Sequence, residues 1–321
     1  MKKYFTFAMA LCLLSACGKS DDSNSNNSGQ DAKLAIQASI QERQTKASGT
    51  SWDDQDKIGV SVSGLSEYTA NTNIPYAYDE SESKFAAVST EVSISGALTV
   101  SAYYPWFGTE NTEPQSEVIS TVAAKQTAAE QKTIDYLYAT ASVTKEAPTA
   151  NFTFTHKMTM LSLTFEPEDV TSGTEVVNFK VSGFVLDGTF DPKTGVAAVS
   201  PTASASDIIL STSNLKSSII LIPQSAEASA VKVALTFDDK TYNGEFTSDF
   251  TLSAGNTHGY TVKIPNSQTE PDPDATLEII SNGITDWTPG TGGNIVTEYD
   301  AGAEAINPAW IQGAGGNVGS N

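Results

Sequence analysis

The sequence is poor in the residue types that most catalytic, metal-binding and nucleic-acid-binding sites require. Its 321 residues include only two cysteines, Cys12 and Cys17, and two histidines, His156 and His258. Both cysteines lie near the N-terminus, so the rest of the chain can form neither an internal disulfide nor a cysteine-based zinc site. Basic residues number 18 against 38 acidic ones, and the resulting net charge of −20 repels nucleic acid and anionic lipid. No nucleic-acid partner is expected.

The N-terminal apolar run is too short to span a membrane. Residues 5–14 form a run of about ten residues, whereas a spanning helix needs roughly 20. Lys2 and Lys3 precede it, and Leu14-Ser15-Ala16-Cys17 follows, which is typical of a signal peptide. The last four residues resemble a lipobox, in which Cys17 receives diacylglycerol. We therefore predict a lipoprotein signal peptide over 1–16; the alternative is an ordinary signal peptide with a chance cysteine.

Short alternating apolar runs are the main feature of the remaining sequence. In the first, residues 34–40, the side chains of Leu34, Ile36, Ala38 and Ile40 share one face, as in a half-buried strand. Similar runs recur at roughly 8–12-residue spacing, and this spacing favours β-sandwiches over alternating strands and helices. The sequence therefore predicts an all-β fold.

Composition divides the chain after the predicted signal peptide into four parts. A polar leader over 17–33 is too hydrophilic to fold and predicts a flexible tether. A break near Lys145–Pro148 separates a first β-sandwich domain, 34–148, from a second, 149–298, and a Gly-rich tail follows over 299–321.

Within the two predicted domains, some segments have distinct local signals. Asp187-Gly188 and residues 191–195 have the composition of turns. The pattern between 116 and 138 is weaker, and it fits a short helix or a long loop.

Few residue groups could carry chemistry. Asp53, Asp54 and Asp56 could begin a calcium loop, but the glycine and distal glutamate of such a loop are missing, so a solvated turn is favoured. His156 and His258 lie far apart, and each is better explained by a structural hydrogen bond than by catalysis. No catalytic motif is recognisable. We therefore expect neither enzymatic activity, nor a cofactor, nor a bound metal.

One aromatic cluster lies at the end of a predicted strand. Tyr103, Tyr104 and Trp106 flank Pro105. Exposed aromatics there could stack on a glycan or contact a protein partner. The alternative, core packing next to a turn, is favoured.

Short motifs spread along the chain resemble the fimbrillin family of Bacteroidetes, whose members build type V pili. Each motif is weak alone, but they occur in order over nearly the whole chain. They are the lipobox and residues 43–47, 52–60, 102–105, 135–139, 154–158, 252–260 and 284–287. The acidic residues Asp21 and Asp22 resemble the surface-export signal of lipoproteins from the same bacteria.

The resemblance implies two tandem transthyretin-like β-sandwich domains and assembly by strand exchange. A protease would cut after Arg43, removing the lipidated leader together with the strand of Leu34–Ile40. The groove left behind would accept a strand from another fimbrial subunit. Strand-like and apolar residues of the C-terminal tail make it the candidate donor, namely Ile295, Val296, Tyr299 and Trp310.

The resemblance thus predicts an adhesive fimbrial subunit that is exposed at the outer membrane, held there by its lipid, and transferred to the fimbria after processing. The alternative is a surface lipoprotein that binds glycans or host ligands and does not polymerise.

Overall fold

The computed structural model describes residues 31–41, 52–63, 71–168, 177–237, 240–265 and 276–286. These ranges are mostly β-strand, which confirms the all-β prediction. The strands are β1 (Ala32–Lys33), β2 (Ala35–Ile40), β3 (Lys57–Ser63), β4 (Ile74–Asp79), β5 (Lys84–Ala87), β6 (Ser93–Ile94), β7 (Leu98–Tyr104), β8 (Glu117–Ser120), β9 (Leu137–Val143), β10 (Thr149–His156), β11 (Thr159–Pro167), β12 (Val177–Val185), β13 (Asp187–Asp191), β14 (Val196–Val199), β15 (Ala205–Thr212), β16 (Lys216–Leu221), β17 (Gln224–Ala226), β18 (Lys232–Phe237), β19 (Lys240–Glu245), β20 (Phe250–Leu252), β21 (Asn256–Ile264) and β22 (Glu278–Asp286).

The segment 116–138, for which the sequence left two possibilities open, contains both strand β8 and a short helix. Helix α1 spans Ala128–Ile134, and the side chain of Thr127 caps it by accepting a hydrogen bond from the Glu130 amide. Single turns of 3-10 helix occur at Ala123–Lys125 and Ala228–Ala230.

Seven strands form one sheet that closes on itself in the order β10-β2-β5-β4-β3-β7-β9. The resemblance implied a two-sheet sandwich for this part of the chain. The sheet closes instead because β2 is paired with β10 on one side and with β5 on the other. Alternate residues fill the interior, including Val100, Ala102, Phe152 and Phe154.

The later strands form a sandwich of two four-stranded sheets. Their orders are β16-β11-β21-β22 and β15-β12-β18-β19. Leu163 and Phe165 of the first sheet and Phe179 and Val233 of the second belong to one buried apolar cluster between the sheets. The Phe165 and Phe179 rings lie 5.0 Å apart. Each strand thus buries one face and exposes the other, as its alternating sequence predicts.

A third buried cluster joins the closed sheet to the sandwich. It includes Tyr103, Tyr136, Met158, Phe190 and Ile220, which come from both parts of the chain. Tyr136 stacks on Phe190 with ring centroids 4.5 Å apart. A small sheet, β14-β13-β8, lies over this cluster and pairs the early strand β8 with the later strand β13.

The two predicted turns differ in outcome. Residues 191–195 do form a turn, in which Gly195 has φ +68° and its amide donates to the Asp191 carbonyl. The turn predicted at Asp187-Gly188 is wrong, because both residues lie in β13 at the centre of the small sheet. The close approach of β14 leaves no room for a side chain at Gly188, because a Cβ atom at this position would lie 2.2 Å from the Ala198 carbonyl oxygen.

This close approach predicts that Gly188→Ala destabilises the protein, although alanine is otherwise tolerated better than glycine in a strand. The backbone must shift to admit the methyl group, and such overpacking costs about 1–3 kcal/mol. The free energy of unfolding in urea, followed by circular dichroism, measures the loss. Thr189→Ala, at the exposed neighbouring position, is the matched control and should change stability by less than about 0.5 kcal/mol. A Gly188→Ala protein as stable as the parent would contradict this interpretation.

Candidate functional site: the β2 groove

Strand β2 is held very differently along its two edges. On one edge it pairs in parallel with β10 over six residue pairs, from Thr149↔Ala35 to Phe154↔Ile40. On the other edge it makes one antiparallel pair with β5, Ile36↔Phe85. The amide of Leu34 also donates to the Val92 carbonyl at 2.8 Å. Closure of the seven-stranded sheet therefore depends on a strand with only one ladder pair on its β5 side.

The side chains of β2 and the residue before it follow the alternation that the sequence predicts. Leu34, Ile36 and Ile40 are buried, with 7%, 3% and 8% of their surface exposed, and Ala38 is half-buried against the same core. The intervening residues of β2 face solvent. Burial of each aliphatic side chain stabilises the fold by about 1.5–3 kcal/mol. Main-chain pairing and core packing thus act on the same short segment.

The surface that receives β2 has a defined shape, and we call it the β2 groove. It is lined by Trp52, Phe85, Ala150, Phe152 and Phe154. At two of the three inward-facing pairs, a small residue of one strand lies beside a large residue of the other, whereas at the third Ile40 is paired with Phe154. Ile36 is paired with Ala150, whereas Ala38 is paired with Phe152. A large side chain therefore lies beside a small one at both positions.

Trp52 closes the groove at one end. Its side chain is buried, and its ring makes edge-to-face contacts with Phe85 at 5.0 Å and Phe154 at 5.2 Å between centroids. Its indole Nε1 donates a hydrogen bond to the Ala38 carbonyl at 3.3 Å. Trp52 thus contacts the groove wall by packing and β2 by a main-chain hydrogen bond. Sequence reasoning missed this role and used Trp52 only as the first residue of the family motif over 52–60 and of the acidic turn within it.

The acidic turn after Trp52 is built from internal contacts. One Asp56 oxygen accepts from the Asp53 amide at 2.8 Å, and the other accepts from the Tyr104 hydroxyl at 3.1 Å. Burial raises the pKa of the Asp56 carboxyl, and burial together with the Asp56 charge raises the pKa of Tyr104. Asp53 also forms an ion pair with Lys132. These carboxylates fix the turn, and within the ranges described above no three His, Cys, Asp or Glu side chains are grouped as a metal site would need.

Residues 45–287 match the protein-family model described as fimbrillin-like. The chain belongs to the fimbrillin-like family. This is a structural and adhesion family and not an enzyme family. The family assignment that the sequence motifs indicated is thereby confirmed.

Individual relatives agree with this assignment over most of their length. The chain is 26% identical to the Bacteroides uniformis protein named "Putative fimbrium subunit Fim1C", over 91% of this chain and 98% of that protein. A crystal structure of a "putative cell adhesion protein" from Bacteroides ovatus is similar with a TM-score of 0.69 and 25% identity, over 81% of this chain and 99% of that one. A second one, from B. uniformis, shares the fold at TM-score 0.62 and 21% identity, over 80% and 98% of the two chains.

The aromatic cluster of this fimbrillin-like protein is occupied by internal contacts. Tyr103 is 1% exposed, and its hydroxyl donates to Asn73 Oδ1 at 2.7 Å. Tyr104 and Trp106 are half-buried, and the Trp106 indole donates to the Asn73 carbonyl at 3.4 Å. Ligand contact by this cluster stays a prediction, and Tyr103 offers a ligand almost no surface.

The two histidines lie in separate environments. Nδ1 of His156 is 2.8 Å from Asp135 Oδ1, where β10 ends. His258 is buried in β21, and burial lowers its pKa. His156 thus contacts a carboxylate, whereas His258 lies within a sheet, where it is paired with Leu161 and Ile284.

The remaining predicted site residues, Cys17, Arg43, Ile295, Val296, Tyr299 and Trp310, lie outside the described residues. Two of the described ranges, 31–41 and 276–286, end shortly before Arg43 and before the C-terminal residues. Gln41, two residues before Arg43, and Asp286, where β22 ends, line the same cleft beside His156 and Lys157. Among the described residues, no helix is long and apolar enough to cross a membrane.

The contacts of Trp52 predict that Trp52→Phe loosens β2. Phenylalanine keeps most of the ring packing but leaves the Ala38 carbonyl without its indole donor, at a cost of about 1–3 kcal/mol. Hydrogen–deuterium exchange should therefore accelerate over residues 34–41. Trp106→Phe, which also removes an indole donor but lies away from β2, should leave that exchange unchanged. Equal protection of β2 in the parent and in Trp52→Phe would show that the Trp52 indole does not hold β2 in place.

Proposed function

We propose that this chain is a non-enzymatic subunit of a surface fimbria that polymerises by strand exchange. A cut after Arg43 would remove the leader together with β2, and the emptied β2 groove would then receive a strand from another subunit. The observation that carries the proposal is the way in which β2 is bound. It forms six residue pairs with β10 but only one with β5, and residues 34–40 bury three aliphatic side chains. An incoming strand could reproduce all of these contacts, as in other cases of β-strand addition.

The proposal includes delivery by a lipid. Acyl chains on Cys17 would hold the precursor at the outer membrane, since stable anchoring needs more than one chain. The segment between Cys17 and β2 is polar and long enough to act as a tether. The lipid would leave with the leader, so it would act in delivery, and the processed subunit would be held only by its neighbours in the fimbria.

We also propose that the chain folds as two tandem units followed by a donor tail. The predicted division at residue 148 would separate β10 from β2 and β9, to which it is hydrogen-bonded. We therefore move the division to Lys157-Met158, between β10 and β11. The tail, with Ile295, Val296, Tyr299 and Trp310, would complete the groove of the next subunit in the fimbria. Head-to-tail donation of this kind does not close on itself and therefore builds filaments.

The glycan-binding alternative has less support. It requires aromatic faces that a sugar can reach, whereas Tyr103 is almost fully buried and Tyr104 donates to Asp56 inside the turn. Exchange of β2 requires only surfaces that already contact a strand.

The sequence makes the processing step unusually testable, because Arg43 is its only arginine. An arginine-specific protease should therefore cut the native chain once, and excess labelled peptide of residues 33–41 should then replace β2. Native mass spectrometry measures both the cut and the uptake. In cells that assemble the fimbria, Arg43→Ala should abolish incorporation of the subunit.

The uncut Arg43→Ala protein is the control for peptide uptake and should take up none. Trp106→Phe, with Arg43 intact, should be cut and exchanged like the parent. If the cut protein keeps its own β2 and takes up no peptide, strand exchange at this groove is excluded.

A further inference from the structure

We propose that the β2 groove takes its donor strand from a different fimbrial subunit and not from residues 287–321 of a second copy of this chain. The inference rests on the strand exchange proposed above and names its partner. It follows from comparing the side-chain pattern that the groove holds with the pattern that the tail offers.

The groove holds three aliphatic side chains at fixed spacing. Leu34, Ile36 and Ile40 are each less than a tenth exposed. They occupy positions i, i+2 and i+6 of one strand face, because successive residues of a strand point to opposite faces. A donor that fills the same volume needs aliphatic residues at this spacing.

The fourth position on this face favours a small residue. Ala38 is paired with the buried Phe152, and its own carbonyl accepts from the Trp52 indole. At Ile36 the reverse holds, since Ala150 is its partner and leaves room that the larger side chain fills. The groove therefore fits the pattern aliphatic-x-aliphatic-x-small-x-aliphatic.

The segment of residues 287–321, which includes the Gly-rich tail and the strand-like residues before it, lacks that pattern. Within residues 287–321, no three isoleucine, leucine or valine side chains occur at positions i, i+2 and i+6, and none do when the strand direction is reversed. Ile295 and Val296 are adjacent, so a strand would point them to opposite faces. The five isoleucine and valine residues of this segment are followed two positions later by Thr297 after Ile295, Glu298 after Val296, Pro308 after Ile306, Gly313 after Ile311 and Ser320 after Val318.

The best apolar alignment of the tail leaves the groove underfilled. It matches Tyr299, Ala301, Ala303 and Ala305 to Leu34, Ile36, Ala38 and Ile40, respectively. Methyl groups would then replace the two isoleucine side chains. Main-chain hydrogen bonds are the same for any strand, so the loss of side-chain filling decides between donors. Each isoleucine replaced by alanine leaves a void, and each such void lowers the affinity of the donor strand by about 30-fold or more.

This mismatch assigns the processed chain to a junction between unlike subunits. Its groove receives a heterologous tail that carries the aliphatic pattern, while its own tail serves a groove of another shape. Residues 287–321 do not match the groove, so the cut chain alone should remain monomeric in solution. Filaments that contain it grow only when a second kind of subunit is supplied.

Peptide affinities for the cut, full-length protein test this assignment. The labelled probes are residues 33–41, residues 287–321, and residues 287–321 with Ala301→Ile and Ala305→Ile. Fluorescence anisotropy should show that the first peptide binds at least about 30-fold more tightly than the tail. The doubly substituted tail should recover most of that difference, because it restores both isoleucines. The residue 33–41 peptide with Ile36→Ala and Ile40→Ala should bind as weakly as the tail.

The outcomes separate the two proposals. If the residue 33–41 peptide does not bind the cut protein, strand exchange itself fails. If that peptide binds but the unmodified tail binds less than about 30-fold more weakly, the heterologous-donor inference is overturned while strand exchange stands. Filament formation by the cut chain alone, seen by electron microscopy, would overturn the inference in the same way. Uncut protein should bind none of the peptides, because its own β2 fills the groove.

Discussion

Strand β2 completes the hydrogen bonding of one sheet and the packing of one core at the same time. Its main chain links β10 to β5, and its alternate side chains fill the space between Phe85, Phe154 and Trp52. Removing it would leave unpaired backbone groups on both neighbours and an apolar channel between them, each of which is costly in water. Pairing and packing of β2 in the groove therefore stabilise the folded state. In the strand exchange proposed above, a cut in the connecting segment would change only whether the strand in the groove belongs to the same chain.

This constraint separates affinity from selectivity in the groove. The ladder to β10 accepts any extended chain except at proline, so it contributes binding strength without discrimination. Discrimination comes from Ala150 and Phe152 of β10, because Ala150 is paired with the large Ile36 and Phe152 with the small Ala38. Trp52 adds a directional bond to one carbonyl, and the turn fixed by Asp56 holds it there. In the strand exchange proposed above, core packing would decide which partner strand the groove accepts.

Local pattern explains the parts of the fold that the sequence could predict. The period-two alternation of residues 34–40 identified the buried face of β2, because side-chain direction in a strand depends only on position. The turn at residues 191–195 was also predictable, since Asp191 bonds its own backbone neighbours and Gly195 adopts positive φ. The ordered motifs identified the family without any structure. Each of these signals involves residues that are close along the chain.

By itself, the sequence determined the strand content, the buried faces and the family of this protein. Only the tertiary structure decided which strands meet: β2 pairs with β10 more than 100 positions later, as the contact of Ser39 with Phe152 shows at a separation of 113. It also placed Gly188 inside a strand, where the Ala198 carbonyl leaves no room for a side chain. The alternation of apolar residues in a strand indicates which face is buried but not which residues cover it. The shape of the β2 groove and the role of Trp52 therefore arise only when distant segments pack together.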